Sequence, residues 1–194
     1  GTPEQFVDFY EVAAKHLKSC FPELKIGGPA IAFRLDWADD FLREMKKREV
    51  SIDFFSWHIY CTEPSAIVKR AEAVRALLDK NGYEKTESIL DEFNYIKGWT
   101  DDYVYSIKQI HGIKGATFLM AGICAAAKTS IDMLMYYDTR PSLFNGAFDY
   151  YTLEKLKGYY PLYWYGMFYD GYKELVTDEN ADSIYTIAGV KDDK

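Results

Sequence analysis

The sequence predicts an α/β protein whose strands form a parallel sheet. Helix-like and strand-like segments alternate along its 194 residues, and such alternation is typical of parallel strands joined by right-handed crossovers. One strand-like segment, residues 87–95, contains an acid and an amide near its carboxyl end, where parallel β/α proteins carry out chemistry. With 48% apolar and 27% charged residues, the chain can bury a sizeable core behind an ordinary surface.

The helices are predicted from apolar residues spaced three and four positions apart. Thr2 is placed to cap the first helix, and Pro3 fits its first turn. A glycine-containing stretch, residues 111–115, interrupts the fourth helix. The predicted helices span residues 3–19, 36–49, 64–80, 101–128 and 153–175.

Short strand-like segments lie between the helices, and the first contains Gly27-Gly28-Pro29, which excludes a helix. The predicted strands span residues 24–30, 50–60, 87–95 and 130–137, and residues 183–190 form one isolated strand. Four strands with their helices make half of an eight-stranded (β/α)8, or TIM, barrel. We therefore expect a partial TIM barrel, and a chain that is a piece of a longer protein.

Glu92 is the candidate for chemistry because it lies near the carboxyl end of its strand, where such barrels react with substrates. Side chains alternate between the two faces of a strand, so Leu90, Glu92 and Asn94 share one face. The same alternation places Asp91 on the other face, toward the helix layer. Glu92 is therefore expected to point into the mouth of the barrel.

Charge and composition narrow the class of ligand. A net charge of −7 without a basic stripe argues against nucleic acid as a partner. Aromatic residues make up 17% of the chain, including 17 Tyr and 4 Trp. Aromatic rings stack on the apolar faces of sugars, but an aromatic core or a protein interface has the same composition. Composition alone leaves these alternatives open.

The sequence predicts no metal, no cofactor and no membrane span. Cys20, Cys61 and Cys124 are far apart and form no Cys-x-x-Cys motif, and no spacing of possible ligands matches a known zinc site. The longest apolar stretch, residues 116–127, is too short to cross a bilayer. Residues 1–5 lack the core of a signal peptide.

Residues 89–94, Ile-Leu-Asp-Glu-Phe-Asn, resemble the seventh strand of clan A glycoside hydrolases. The resemblance is greatest to the family 39 group, which includes β-xylosidases and α-L-iduronidases. Other regions that match strands five, six and eight in the expected order are residues 9–30, 53–60 and 131–138. The resemblance implies that residues 1–178 are the C-terminal half of a catalytic barrel, about strands 5–8. Residues 179–194 would then begin a β-rich C-terminal segment.

In this family the seventh strand ends in the catalytic nucleophile. The resemblance therefore implies that Glu92 forms a covalent glycosyl-enzyme in a retaining mechanism. Family members place their general acid/base in an Asn-Glu pair at the end of strand four, and this dipeptide does not occur in the chain. The acid/base is thus expected outside the chain, and the chain alone is expected to be inactive.

A second set of residues is expected to bind the sugar. His58 and Tyr60 share a strand face, and Tyr60 is placed to donate a hydrogen bond to Glu92. Trp99, in the following loop, is a candidate stacking surface. The candidate substrate-binding residues are His58, Tyr60, Asn94, Trp99, Tyr137, Asp138 and Arg140, with Phe144, Asn145 and Phe148 as weaker candidates. Tyr136 and Tyr137 stand where many relatives have a Trp in strand eight.

Two other classes of protein stay open. A barrel that binds carbohydrate without hydrolysing it would share these features, because the residues that end strand four lie outside the chain. A small flavodoxin-like domain would need a phosphate-binding turn. Gly27-Gly28-Pro29 serves that purpose poorly, because Pro29 has no N–H to donate.

The expected partner is an oligo- or polysaccharide substrate, with no nucleic acid and no membrane. An open half-barrel exposes two strand edges and an apolar interior, so we also expect it to pair with a second copy as a homodimer. Family members are frequently exported, and on that ground we expect an extracellular or periplasmic location.

Overall fold

The structure, a computed structural model, describes residues 2–169, 171–177 and 183–191. Its α-helices are Pro3–Cys20 (α1), Leu35–Lys47 (α2), Pro64–Lys80 (α3), Tyr103–Ile110 (α4), Ile113–Ala126 (α5) and Tyr159–Gly166 (α6). A 3₁₀ helix follows at Met167–Tyr169. The strands are Gly27–Ile31 (β1), Phe54–Cys61 (β2), Glu87–Tyr95 (β3), Met133–Tyr136 (β4), Lys173–Leu175 (β5) and Ala188–Val190 (β6).

β1 to β4 form a four-stranded parallel sheet in the order β1-β2-β3-β4, with helices between successive strands. In the first pair, Gly27 lies opposite Phe54 and Gly28 opposite Phe55. Gly27 permits this close pairing, because a Cβ at that position would collide with the carbonyl oxygen of Phe54. The prediction of a partial (β/α) barrel is confirmed.

α1 begins where the sequence predicts. The Thr2 hydroxyl accepts a hydrogen bond from the Gln5 N–H at 3.3 Å, and the Gln5 side chain accepts one from the Thr2 N–H at 2.8 Å. Pro3 occupies the first helical turn, where its missing N–H would have no partner in the helix. This reciprocal capping box fixes the start of the helix.

The chain divides into two compact units. The first contains residues 1–59, 70–92 and 130–135, and the second contains residues 60–69, 93–129 and 136–194. In the first unit, α1 and α2 pack through aromatic side chains around Phe41. Its ring centroid lies 5.8 Å from that of Phe6, 5.1 Å from that of Tyr10 and 5.5 Å from that of Trp37.

Two aspartates hold the amino ends of strands in the first unit. Asp53, directly before β2, accepts a hydrogen bond from the Ile26 N–H at 2.8 Å and pairs with Lys18 at 2.6 Å. Asp132, directly before β4, accepts one from the Ser88 N–H of β3 at 2.7 Å. Each carboxylate therefore binds the backbone in, or directly before, the preceding strand and sets the offset between the two neighbours.

The second unit is built around α5, whose side chains are mostly apolar. The Phe118 ring of α5 meets the Tyr95 ring of β3 edge-on, with centroids 5.6 Å apart. Gly122 keeps α5 close to its neighbours, because a Cβ there would lie 3.2 Å from Ile67 and 3.5 Å from Phe93. α5 is mostly apolar, yet neither it nor any other helix within the described ranges has the length and apolarity that a membrane span requires.

The prediction of one helix over residues 153–175 is wrong. The Asp149 carboxylate accepts hydrogen bonds from two backbone N–H groups that follow it, which forms a turn in place of a helix. Leu153 has a φ of 59°, in the left-handed region that a helix cannot use. The helix starts instead at α6, where Pro161 fits the first turn, and Gly171 precedes β5 with a φ of 80°.

The prediction that the last strand is isolated is wrong, because β6 pairs with β5 in a two-stranded antiparallel sheet. Lys173 lies opposite Val190 and Leu175 opposite Ala188. β5 was hidden inside the predicted helix, which is why no partner for the last strand was foreseen. The predicted domain boundary after residue 178 falls outside the described residues and stays a prediction.

We expect Ser88→Ala to lower the free energy of unfolding by about 1–3 kcal/mol, because it removes the acceptor of a buried indole. The Trp57 indole N–H donates to the Ser88 hydroxyl at 3.0 Å, and both residues are fully buried. Urea unfolding followed by fluorescence measures the change. Ser65→Ala, at an exposed position of α3, is the control. Equal midpoints for the two variants would contradict the stated role of this bond.

Candidate active site

Polar side chains of β2 and β3 meet in the first unit. The Nδ1 atom of His58 lies 3.5 Å from the Oδ1 atom of Asp91, and the two side chains are 23% and 24% exposed. Ser56 also forms a hydrogen bond with the Asp91 carboxyl group. The Ser56 hydroxyl in turn accepts a hydrogen bond from the Ala30 N–H at 3.0 Å. Burial raises the pKa of Asp91, while Ser56 and His58 act in the opposite direction.

The expectation that Asp91 faces the helix layer stays a prediction. Its carboxyl group lies against Ser56 and His58, whose polar atoms compensate a buried acid in a way that an apolar helix layer does not. Phe93 and Tyr95, further along the same strand, pack near α5. Asp91 and these two residues are the ones that two-residue alternation assigns to one face of β3.

Glu92 directly follows Asp91 and belongs to the first unit. Its side chain is half-buried, and it lies in the carboxyl-terminal part of β3, which ends at Tyr95. The predicted position near the end of the strand is therefore the observed one. The predicted hydrogen bond from Tyr60 and the role of Glu92 as a nucleophile stay predictions.

The second unit brings four aromatic rings together, and we call Tyr60, Trp99, Tyr103 and Phe144 the aromatic cluster. The Trp99 ring is nearly parallel to Phe144, at 14° and 6.4 Å, and to Tyr103, at 23° and 6.1 Å. Tyr60 meets Trp99 edge-on at 4.9 Å. Because Trp99 is 51% exposed and Tyr103 is 36% exposed, the parallel rings offer an accessible surface for stacking.

Beside this cluster, Tyr137, Asp138 and Arg140 form a hydrogen-bonded group at the end of β4. Arg140 Nε lies 2.9 Å from Asp138 Oδ2, and Arg140 Nη2 donates to the Tyr137 hydroxyl at 3.1 Å. Asn94, which is buried, donates to the Tyr137 carbonyl at 2.7 Å. The weaker candidate Asn145 donates to the Arg140 carbonyl. Asp138 and Arg140 therefore neutralise each other, and the two Asn side chains hold the backbone.

Phe148, the other weak candidate, forms an isolated antiparallel bridge with Lys155 and stacks edge-on against Tyr159 at 5.5 Å. Sequence reasoning missed two residues, Asp91 and Tyr103. Tyr103 is the first residue of α4, and Trp99 lies in the loop before that helix, so no helical spacing links the two. Nothing in the sequence distinguished it among the 17 tyrosines.

No group of three metal-ligating side chains occurs among the described residues. A groove of about 600 Å³ in the second unit is lined mainly by α5 and α6, with Ser183 and Tyr185. None of the candidate site residues lines it. The candidate site residues therefore lie at the strand ends and not in this apolar groove.

Glycoside hydrolases are among the classes of enzyme that place acidic, imidazole and aromatic side chains near the strand ends of a (β/α) barrel. The chain belongs to glycosyl hydrolases family 39, whose family model matches residues 1–140. The resemblance drawn from residues 89–94 is therefore confirmed at the level of the family.

Relatives of known sequence or structure agree with this assignment. A β-xylosidase of Geobacillus stearothermophilus is 25% identical over 79% of this chain and 34% of its own length. A glucosidase from Croceicoccus marinus is 31% identical, with a TM-score of 0.61 over 70% of this chain and 28% of that one. A GH39 enzyme from Xanthomonas axonopodis pv. citri shares the fold at a TM-score of 0.71, with 17% identity over 86% of this chain and 37% of that one.

We expect Asp91→Asn to stabilise the protein progressively as the pH rises. The pKa of Asp91 is raised in the folded state, so the folded protein holds this proton more tightly than the unfolded chain. The resulting stabilisation is complete below the ordinary pKa of 3.8 and is lost as the pH rises through the raised value. Asn does not titrate and avoids that loss.

Urea unfolding between about pH 3 and about pH 7 measures the difference between the variant and the unaltered chain. Asp40→Asn, at an exposed position of α2, controls for the loss of one negative charge. A difference that shrinks as the pH rises would contradict the prediction.

Proposed function

We propose that this chain is the C-terminal half of the catalytic barrel of a retaining glycosidase, with Glu92 as the nucleophile. The observation that carries the proposal is the position of Glu92 near the carboxyl end of β3, in a chain whose family match spans residues 1–140. In (β/α) barrels the carboxyl ends of the strands carry the reacting groups. The chain spans 34% of the β-xylosidase that it resembles, in accordance with half of a barrel in a larger protein.

The reaction follows from two carboxyl groups about 5 Å apart. The Glu92 carboxylate attacks the anomeric carbon and forms a glycosyl ester, while the glycosidic C–O bond breaks and the second carboxyl group protonates the leaving oxygen. Water, deprotonated by that second group, then attacks the same carbon and releases Glu92. Two inversions retain the configuration of the sugar.

The second carboxyl group lies outside residues 1–194 in this proposal. One carboxylate cannot attack the sugar and protonate the leaving group at the same time, so the chain alone does not turn over substrate. The observation in favour is that the sheet of the described residues has four strands, whereas a closed barrel has eight.

The proposed substrate is an oligo- or polysaccharide built of pyranose rings. The aromatic cluster supplies a stacking surface, because the near-parallel rings of Trp99, Tyr103 and Phe144 match the flat apolar face of a sugar. His58 and Tyr60 supply groups that bond to hydroxyls. Asp138 and Arg140, already paired, shape the rim. Xylosides and glucosides are the first probes, since the relatives are a β-xylosidase and a glucosidase.

We expect a 2-fluoro-glycoside to label Glu92 in the full-length protein that contains this chain, because the fluorine slows hydrolysis of the glycosyl ester. Intact mass followed by peptide mapping reads out the adduct. Glu92→Gln abolishes labelling and lowers kcat by more than about 10³-fold. Glu87→Gln, the same change on the same strand, is the matched control.

The outcomes separate the alternatives. Turnover by the 194-residue chain alone would refute the claim that the acid/base lies outside it. Sugar binding by the full-length protein without any adduct would favour a carbohydrate-binding barrel that has lost hydrolysis.

We expect Trp99→Ala to lower kcat/KM on an oligosaccharide by about 10-fold, because the loss of a stacked ring costs about 1–2 kcal/mol of binding. Steady-state kinetics of the full-length protein measures the change. Tyr169→Ala removes an aromatic ring that is 91% exposed and lies outside the cluster, so it serves as the control. The same loss in both variants would argue against a role for the aromatic cluster in binding.

We propose that the isolated chain forms a homodimer. Met133 and Met135 of β4, the last strand in the sheet order, are 48% and 42% exposed, which is unusual for methionine side chains on one strand face. Light scattering coupled to size exclusion should give twice the chain mass, and Met133→Lys with Met135→Lys should reduce it to the monomer. A monodisperse monomer before mutation would refute the dimer.

A further inference from the structure

Asp91 is the acidic residue near the candidate site that the proposed reaction does not use. It directly precedes Glu92, and its Oδ1 atom is buried without a hydrogen-bond partner in the structure. Burial of a carboxyl group with an unsatisfied oxygen costs free energy, and a neighbouring hydrogen-bond donor offsets that cost. The neighbour of that oxygen is the Nδ1 atom of His58, 3.5 Å away.

The groups around Asp91 favour its role as an acceptor. The Ser56 hydroxyl already accepts a hydrogen bond from the Ala30 N–H at 3.0 Å, so its own proton is left to donate toward Asp91. His58 is the second neighbour that favours the ionised form of Asp91 and so lowers its pKa. Asp91 thus has a hydroxyl donor and an imidazole as its neighbours, both from β2.

We propose that Asp91 is a positioning residue for His58: it accepts the Nδ1 proton, so that the neutral imidazole keeps Nε2 as an acceptor for a sugar hydroxyl. A neutral imidazole has one N–H and one acceptor nitrogen, and the hydrogen bond at one nitrogen decides the state of the other. The effect of this contact on catalysis rests on the proposed function. The tautomer of His58 does not depend on it.

The separation of 3.5 Å between Nδ1 and Oδ1 is longer than the usual length of a formed hydrogen bond. A small rotation of either side chain closes it, and active-site hydrogen bonds tighten when substrate binds. The side chains are both less than a quarter exposed, so water competes weakly for the interaction. Asp91 therefore selects one tautomer without needing to react with the substrate.

The test reads the imidazole nitrogens of the chain by ¹⁵N NMR, at a pH where His58 is neutral. The chain has three histidines, so His58→Gln identifies the signals by their loss. We expect the Nδ1–H tautomer in the unaltered chain. In Asp91→Asn the amide oxygen takes the Ser56 proton and the NH₂ group donates to Nδ1, so the Nε2–H tautomer replaces it.

Asp91→Glu keeps a carboxylate and should keep the Nδ1–H tautomer, and Asp40→Asn, an exposed position, should leave it unchanged. The backbone amide spectrum of each variant reports whether it is folded. If Asp91→Asn proves unfolded, Asp91→Glu and the unaltered chain still decide the matter. An Nε2–H tautomer in the unaltered chain overturns the proposal, as does an Nδ1–H tautomer that persists in a folded Asp91→Asn.

In the full-length protein, Asp91→Asn should lower kcat/KM by about 10- to 100-fold, since a sugar hydroxyl then meets a donor in place of an acceptor. Asp91→Glu should recover part of that loss. Labelling of Glu92 with no change of tautomer would defeat this inference and leave the proposed function intact. The expected tautomers without labelling of Glu92 would defeat the proposed function and leave the positioning of His58 intact.

Discussion

The fixed offset between neighbouring parallel strands is the constraint on which the candidate site depends. In the first unit, Asp53 and Asp132 each lie one residue before a strand and bind the backbone in, or directly before, the preceding strand. These contacts fix the amino ends of the strands relative to one another. Because the rise per residue is nearly constant, they also determine which residues lie side by side at the carboxyl ends. His58 and Asp91 lie on β2 and β3, whose offset is held where the Glu87 N–H donates to the Asp53 carbonyl at 3.1 Å.

The two groups of candidate residues are supported in different ways. His58, Asp91 and Glu92 lie within strands, where hydrogen bonds on both sides hold the backbone. The aromatic cluster draws Trp99 from the loop after β3 and Phe144 from the loop after β4, and its rings hold one another by stacking. Reacting groups on strands and adaptable stacking groups on loops are the usual division in β/α enzymes, because chemistry needs tighter positioning than recognition.

The sequence predicted regular elements well where a local rule decides the structure. β3 covers the predicted residues 87–95, and α3 covers the predicted residues 64–80. The prediction of a helix failed over residues 153–175, where many apolar and aromatic residues fit a helical pattern. There the Asp149 side chain accepts a backbone hydrogen bond that stabilises a turn, and the left-handed backbone at Leu153 is incompatible with a helix.

The sequence by itself determined the order of helices and strands, the family resemblance, and the place of Glu92 near a strand end, because these follow from local periodicity and a short motif. Tertiary structure decided which side chains meet. Asp91 lies beside His58 and Ser56, a contact that alternation within one strand does not predict, and Tyr103 joins Trp99 although nothing distinguished it among the tyrosines. Such contacts depend on strand offset and loop paths, which are set by packing between segments distant in sequence.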